Sequence, residues 1–163
     1  MILGAVTTGE NMLDLSLRYE DNGTAHDDLF LRFAGQTWPC DSYYFALDRK
    51  VRPDDESPAK VKMVLRKLLE QWLTATANLP DGSATFLPYD FSDQSTCWIC
   101  CERNGNEMEV QRGWALVGGY SLFPSEIGEY LSHLPGFNVE GPAIKSSKAD
   151  LLQAICDSLA KAE

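Results

Sequence analysis

The chain has 163 residues, enough for one domain with its own core, expected to span 1–163. Its 24 acidic residues outnumber 14 basic ones, giving a net charge of −10. The resulting field repels nucleic acid and anionic membrane and favours a basic protein partner. Solubility is the competing explanation of that charge, and a hydrophobic content of 44% with 23% charged residues describes a folded globule, not a disordered tail.

The start, Met1-Ile2-Leu3-Gly4-Ala5-Val6, is apolar but short. It has no basic leader and runs into Thr7-Thr8-Gly9-Glu10, so no signal peptide is expected. No apolar run is long enough to span a membrane, and the cytoplasm is the expected compartment. Met12 to Tyr19 alternates, with Leu13, Leu15, Leu17 and Tyr19 on one face, and predicts a half-buried strand. Asp21-Asn22-Gly23 turns the chain, and Asp28 to Phe33 alternates again. A tight Asn22-Gly23 turn would set the second run's leucines against polar residues, so a longer loop is expected. Gly35 breaks the strand. Asp41 to Leu47 predicts a third strand, with Tyr43, Phe45 and Leu47 on one side and Pro39 just before it.

Arg49 to Pro58 is a charged connection. Ser57-Pro58 then opens the clearest helix, with serine as cap and proline in the first turn. Val61, Val64, Leu65, Leu68, Leu69, Trp72 and Leu73 recur at helical spacing and form its core face, and the helix should end near Asn78. Lys60, Lys62, Arg66 and Lys67 read as a solvated basic face beside Asp54, Asp55 and Glu56. Ala84 to Tyr89 predicts a fourth strand, interrupted by Pro88.

Ser95 to Leu116 predicts two strands joined by Asn104-Gly105, the strongest short hairpin signal. A two-residue turn there sets Cys101 opposite Met108, Ile99 opposite Val110 and Cys97 opposite Arg112. On the other face Glu102 meets Glu107, Cys100 meets Glu109 and Trp98 meets Gln111. Opposed like charges destabilise a sheet, so a face carrying them beside a tryptophan reads as surface kept for a partner. Val117-Gly118-Gly119-Tyr120 is too short to cradle phosphate and reads as a turn. Pro124 to Leu131 predicts a short helix, and Ser147 to Ala160 a last one with Leu151, Leu152, Ile155 and Leu159 inward. The element order argues α+β: a mainly antiparallel sheet of about five to six strands, with one long and two shorter helices packed on it.

No catalytic signature is present. There is no G-x-S-x-G, phosphate loop, H-E-x-x-H or calcium loop, and the two histidines, His26 and His133, stand in no nucleophile arrangement. The cysteines, Cys40, Cys97, Cys100, Cys101 and Cys156, are odd in number, and three crowd into one strand, which is no disulfide framework. Cys97-Trp98-Ile99-Cys100 places its two thiols on opposite faces of a strand and lacks further ligands. No metal, cofactor or redox role is expected.

Leu87-Pro88-Tyr89-Asp90-Phe91-Ser92-Asp93-Gln94, followed by a strand, an acidic turn and Glu109-Val110-Gln111-Arg112-Gly113-Trp114, resembles small acidic immunity proteins. These are bacterial cytosolic proteins encoded beside polymorphic or contact-dependent toxins. The resemblance covers about a quarter of the chain and excludes the cysteine-rich strand. It implies a toxin-neutralising binding protein with no catalytic residues. The expected partner surface is Asp90, Asp93, Trp98, Glu102, Glu107 and Glu109, carboxylates steering and the aromatic anchoring against a basic toxin site, as in a nuclease. A small enzyme using Asp/Glu or His acid–base chemistry and an adaptor subunit of a larger complex are the competing readings.

Overall fold

The computed structural model describes residues 13–162; the apolar start and the first residue of the predicted opening strand, Met12, lie outside them. The architecture is α+β with antiparallel strands divided between two sheets. β1 (Leu15–Tyr19), β2 (Leu29–Phe33) and β3 (Gln36–Cys40) form the first. β4 (Ala84–Phe91), β5 (Thr96–Asn104) and β6 (Glu107–Ala115) form the body of the second, and two short strands, β7 (Asn138–Val139) and β8 (Ile144–Ser147), both pair with β6. The helices are α1 (Tyr43–Ala46), α2 (Pro58–Ala77) and α3 (Lys148–Lys161). Among the described residues no helix is long and apolar enough to cross a membrane.

β1 and β2 bury Leu15, Leu17, Leu29, Leu31 and Phe33 on one face, as the alternation requires. Their connection spans 20–28, the longer loop expected. The third strand is not 41–47 but β3. Ala34 (φ 54°) and Gly35 (φ 81°) make a tight turn that sends the chain straight back, with Pro39 opposite Phe30. The residues expected as strand instead form α1. The buried carboxylate of Asp28 accepts from the Ser42 backbone N–H at 2.9 Å and its hydroxyl at 2.7 Å, and so fixes the helix start. The alternation of Tyr43, Phe45 and Leu47 mimics a strand, while the helix buries the consecutive Tyr44, Phe45 and Ala46.

α2 follows the sequence closely. Ser57 Oγ accepts from the Lys60 N–H at 3.2 Å, Pro58 occupies the first turn, and Val61, Val64, Leu65, Leu68, Leu69 and Trp72 are buried. The Trp72 indole donates to the Pro88 carbonyl at 3.1 Å, tying the helix to the edge strand β4. Lys60 departs from the solvated face. It is fully buried, and its Nζ donates to the Pro53 carbonyl at 3.0 Å. α3 is capped by Ser147 and buries Leu151, Ala154, Ile155 and Ser158; Leu152 and Leu159 are half-buried. A serine stands on that inner stripe because it completes the edge of β1: its hydroxyl accepts from the Leu17 N–H at 2.9 Å.

The 124–131 segment is not an α-helix but a turn-rich cover with one 3₁₀ turn at Gly128–Tyr130. It is held by side chains. Gln71 donates to the Pro124 carbonyl at 2.9 Å and accepts from the Ile127 N–H at 2.8 Å, and the Leu131 carbonyl accepts from the Phe86 N–H and the Thr85 hydroxyl.

Leu68 lies at 0% exposure in the middle of the α2 face. Leu68→Ala should therefore cost about 2–5 kcal/mol by chemical denaturation. An unchanged denaturant midpoint would mean that the core does not rest on this face.

Candidate functional site

The hairpin register differs from the expected one by two residues. Asn104 pairs with Glu107, so the turn residues are Gly105 and Asn106, and Cys101 faces Val110 instead of Met108. A slip of two keeps every side chain on its original face, so alternation alone cannot separate the two registers. The turn decides. Gly105 alone takes positive φ (64°), as a hairpin turn with glycine first requires. It is clamped from the neighbouring turn, where the Asp81 carboxylate accepts its N–H at 2.7 Å while Arg103 donates to its carbonyl at 2.8 Å.

The acidic face survives with new pairings. Glu102, Glu107 and Glu109 are all exposed, Glu102 opposite Glu109. β8 places Lys145 opposite Glu109, and its ammonium stands 3.7 Å from Glu107, so Glu107 has an ion-pair partner while Glu102 faces only Glu109 across the β5–β6 ladder. Trp98 does not belong to this surface: it is fully buried. The chain beyond β6 folds back over this end of the hairpin. Tyr130 packs edge-on to the Trp98 ring at 5.9 Å, and the indole N–H donates to Thr96 Oγ1 at 2.7 Å. Phe137 packs on Phe86 and Gly113 beside it.

Asp90 and Asp93 lie elsewhere, at the seam between the two sheets. A bulge in β4 between Pro88 and Asp90 sets Asp90 opposite Cys97. The Asp90 carboxylate accepts a long 3.4 Å bond from the Asp41 N–H. Burial, with the charges of Asp41 and Asp27, pushes its pKa up to about 6. Behind it, the Arg112 guanidinium lies 3.6 Å from the Trp38 ring centroid, donates to the Tyr89 hydroxyl at 3.2 Å and approaches Glu140 at 3.4 Å.

In front of the seam opens a groove of about 750 Å³ lined by His26, Asp41, Tyr43, Tyr44, Asp93 and Tyr120, with Ser92 and Gln94 beside them. Tyr44 is its floor. The ring meets Tyr43 and Tyr120 edge-on at 5.1 and 5.5 Å, and the hydroxyl donates to Asp93 Oδ1. Burial and the Asp93 carboxylate push the Tyr44 phenol pKa upward, so it remains a neutral donor. Tyr43 and Tyr120 are the open walls, 39% and 74% exposed. His26 stacks near Tyr43, with Nδ1 3.4 Å from Asp41 Oδ2. Its loop is fastened by Asn22 and Thr24, both donating to the His26 carbonyl at 2.9 Å.

The glycine pair read as a turn has a site role. A Cβ on Gly119 would stand 2.7 Å from the Tyr44 ring, and one on Gly118 2.6 Å from the Asp93 carbonyl. Only glycine lets this loop approach closely enough for the Gly119 N–H to reach the Ser92 carbonyl at 2.7 Å and for Tyr120 to stand on the rim. Sequence reasoning missed Asp41, Tyr43, Tyr44 and Tyr120 and weighed His26 only for acid–base chemistry. The one usable signal was Gly-Gly followed by an aromatic.

A second groove of about 390 Å³ runs along α2 between Lys67, Gln71, Asn78 and Ser125 and has no aromatic wall. The five cysteines are free. Burial pushes Cys97 up to about 11 and Cys100 up to about 12, and raises Cys40 and Cys101 as well, so these thiols are poor nucleophiles. Among the described residues no group of three or more His, Cys, Asp or Glu is placed to hold a metal ion. No protein family, no curated protein and no solved structure matches the chain.

The raised pKa of Asp90 has a definite sign. The folded protein holds this proton more tightly than the unfolded chain, whose carboxyl titrates near 3.8. The stability it contributes is complete below about pH 4 and is lost as pH rises through about 6, on the order of 3 kcal/mol at most. Asp90→Asn should flatten that part of the pH–stability curve and raise the denaturant midpoint at neutral pH. A variant whose curve superimposes on the parent's would show that Asp90 is not desolvated.

On the hairpin, Glu109→Gln should raise stability by a few tenths of a kcal/mol by relieving Glu102. Glu107→Gln, which gives up Lys145, should be neutral or lose up to about 1 kcal/mol. Equal effects of the two changes in thermal melts would contradict the observed register.

Proposed function

We propose that this chain is a binding protein that recognises a basic protein partner, and that it acts in the bacterial cytoplasm as an immunity protein neutralising a toxin. One observation carries the reading. In a protein of net charge −10, two exposed tyrosines flank a groove with the Asp41 and Asp93 carboxylates on its walls. Aromatic rings in contact with fixed charges form interface anchors, and the surrounding negative field speeds the encounter with a cationic partner. The hairpin carboxylates Glu102, Glu107 and Glu109 contribute to that field at the opposite end of β5, without an aromatic anchor of their own. The resemblance of 87–94 and 109–114 to acidic immunity proteins supports the same reading, since Asp93 belongs to the first of those segments. A toxin that acts on nucleic acid presents a basic cleft, which an acidic surface can occupy in place of phosphate.

The His26–Asp41 pair favours a second reading, acid–base chemistry in the same groove. Against it, two hydroxyls of the groove are directed away from that pair: Tyr44 donates to Asp93, and Ser92 donates to the Ser95 carbonyl at 2.9 Å.

The test is affinity capture with the tagged chain from its own host at low and at physiological salt, followed by titration of the purified partner. A basic partner should be retained, and its Kd should weaken as salt rises, chiefly through slower association. A partner that is acidic, or whose association rate ignores salt, would overturn the reading.

A further inference from the structure

We infer that the tyrosine groove is a pocket for a single arginine side chain of the partner. The inference rests on the binding function proposed above and names the group that enters. The protein already holds one arginine by the same means. Arg112 lies over the Trp38 ring at 3.6 Å, donates to a tyrosine hydroxyl, Tyr89, and faces a carboxylate, Glu140. The groove presents those three elements with the cation missing. Its aromatic faces are Tyr43 and Tyr120, 39% and 74% exposed. Its hydroxyls include that of Tyr120, whose ring meets Tyr44 edge-on at 5.5 Å. Its carboxylate is Asp93, exposed, with Oδ1 taken by the Tyr44 hydroxyl and Oδ2 accepting no hydrogen bond among the described residues.

A guanidinium suits the groove better than an ammonium, because its planar face can rest on a tyrosine ring while its edge donates to Asp93. An ammonium is a strongly hydrated point charge and would give up water without a flat face to stack. Asp41 is partly engaged. Its Oδ1 accepts from the Asp27 N–H at 2.9 Å and its Oδ2 faces His26, which leaves Asp93 Oδ2 as the principal acceptor. Tyr44 is the buried floor that holds Asp93 in place through its hydroxyl, so the acceptor is fixed before the ligand arrives.

The experiment is an NMR titration of the full chain with three capped pentapeptides, Gly-Gly-X-Gly-Gly, in which X is arginine, lysine or the neutral isostere citrulline. The arginine peptide should give saturable shifts confined to residues around Tyr43, Tyr44, Asp93 and Tyr120, with a Kd on the order of a millimolar. The lysine peptide should bind more weakly and the citrulline peptide not saturate. Asp93→Asn keeps an acceptor for Tyr44 and should weaken the arginine peptide about tenfold. Tyr120→Ala, at an exposed position, should weaken it about threefold. Equal binding of lysine or citrulline, or shifts centred on Glu102 and Glu109, would overturn the assignment. If a captured basic partner binds both variants as tightly as the parent, the arginine pocket falls and the binding function stands. If the arginine peptide saturates the groove while no basic partner is captured, the pocket stands and the toxin-binding reading falls.

Discussion

The two sheets share no hydrogen-bonded ladder, so side chains alone set one against the other. α2 supplies the energy. Leu65, Leu68, Leu69 and Trp72 are each at 1% exposure or less, and burying one such side chain is worth about 1.5–3 kcal/mol. Alignment comes from polar contacts, which are weaker, at about 1 kcal/mol each, but directional. The Trp72 indole on the Pro88 carbonyl fixes the helix along β4, and Arg112 on Trp38 pins β6 to β3. Neither could provide the stability. Without them the apolar face would hold the sheets together but not in one register.

The groove inherits its shape from that seam. His26, Asp41, Tyr43 and Tyr44 arrive from the loops and the short helix around the first sheet, Asp93 and Tyr120 from loops of the second. The Tyr44–Asp93 hydrogen bond joins the two sets. Asp90, brought to the seam by the bulge beside Pro88, works against this closure, because its carboxylate meets those of Asp41 and Asp27. A site assembled from two sheets is thus held by one phenol and strained by one carboxylate.

The α+β class, α2 with its cap and core face, the first two strands and the placement of Cys97 and Cys100 on opposite faces of β5 were legible in the chain, because each follows from periodicity or from one local residue. The third strand was not. Three aromatic and aliphatic residues alternate over 43–47, but a buried carboxylate fourteen positions before Ser42, Asp28, holds that serine at the head of a helix. The hairpin register was half legible: faces follow from alternation, whereas the two-residue offset depends on Asp81 and Arg103 in and beside another turn. Alternation groups Glu102, Glu107 and Glu109 on one face but does not say which face is exposed; the fold leaves these three in solvent. The burial of Trp98 depends on a fold-back of 119–137 whose one helical signal, at 124–131, is overridden when the chain packs. The groove was illegible for the same reason, since its residues come from four loops and one short helix that meet only after the sheets have packed.

The contact between Gly119 and the Tyr44 ring links two positions that are seventy-five residues apart in the chain. A methyl group at one excludes the ring at the other, so the two cannot vary independently. Tyr44, Asp93 and Gly118-Gly119-Tyr120 consequently form a discontinuous signature that is specific to the groove and separate from the α2 pattern that specifies the fold. Chains that keep the α2 pattern but lose the signature would share this architecture with a different specificity. The signature is therefore the criterion by which relatives with the same binding chemistry could be sorted from those that share only the scaffold.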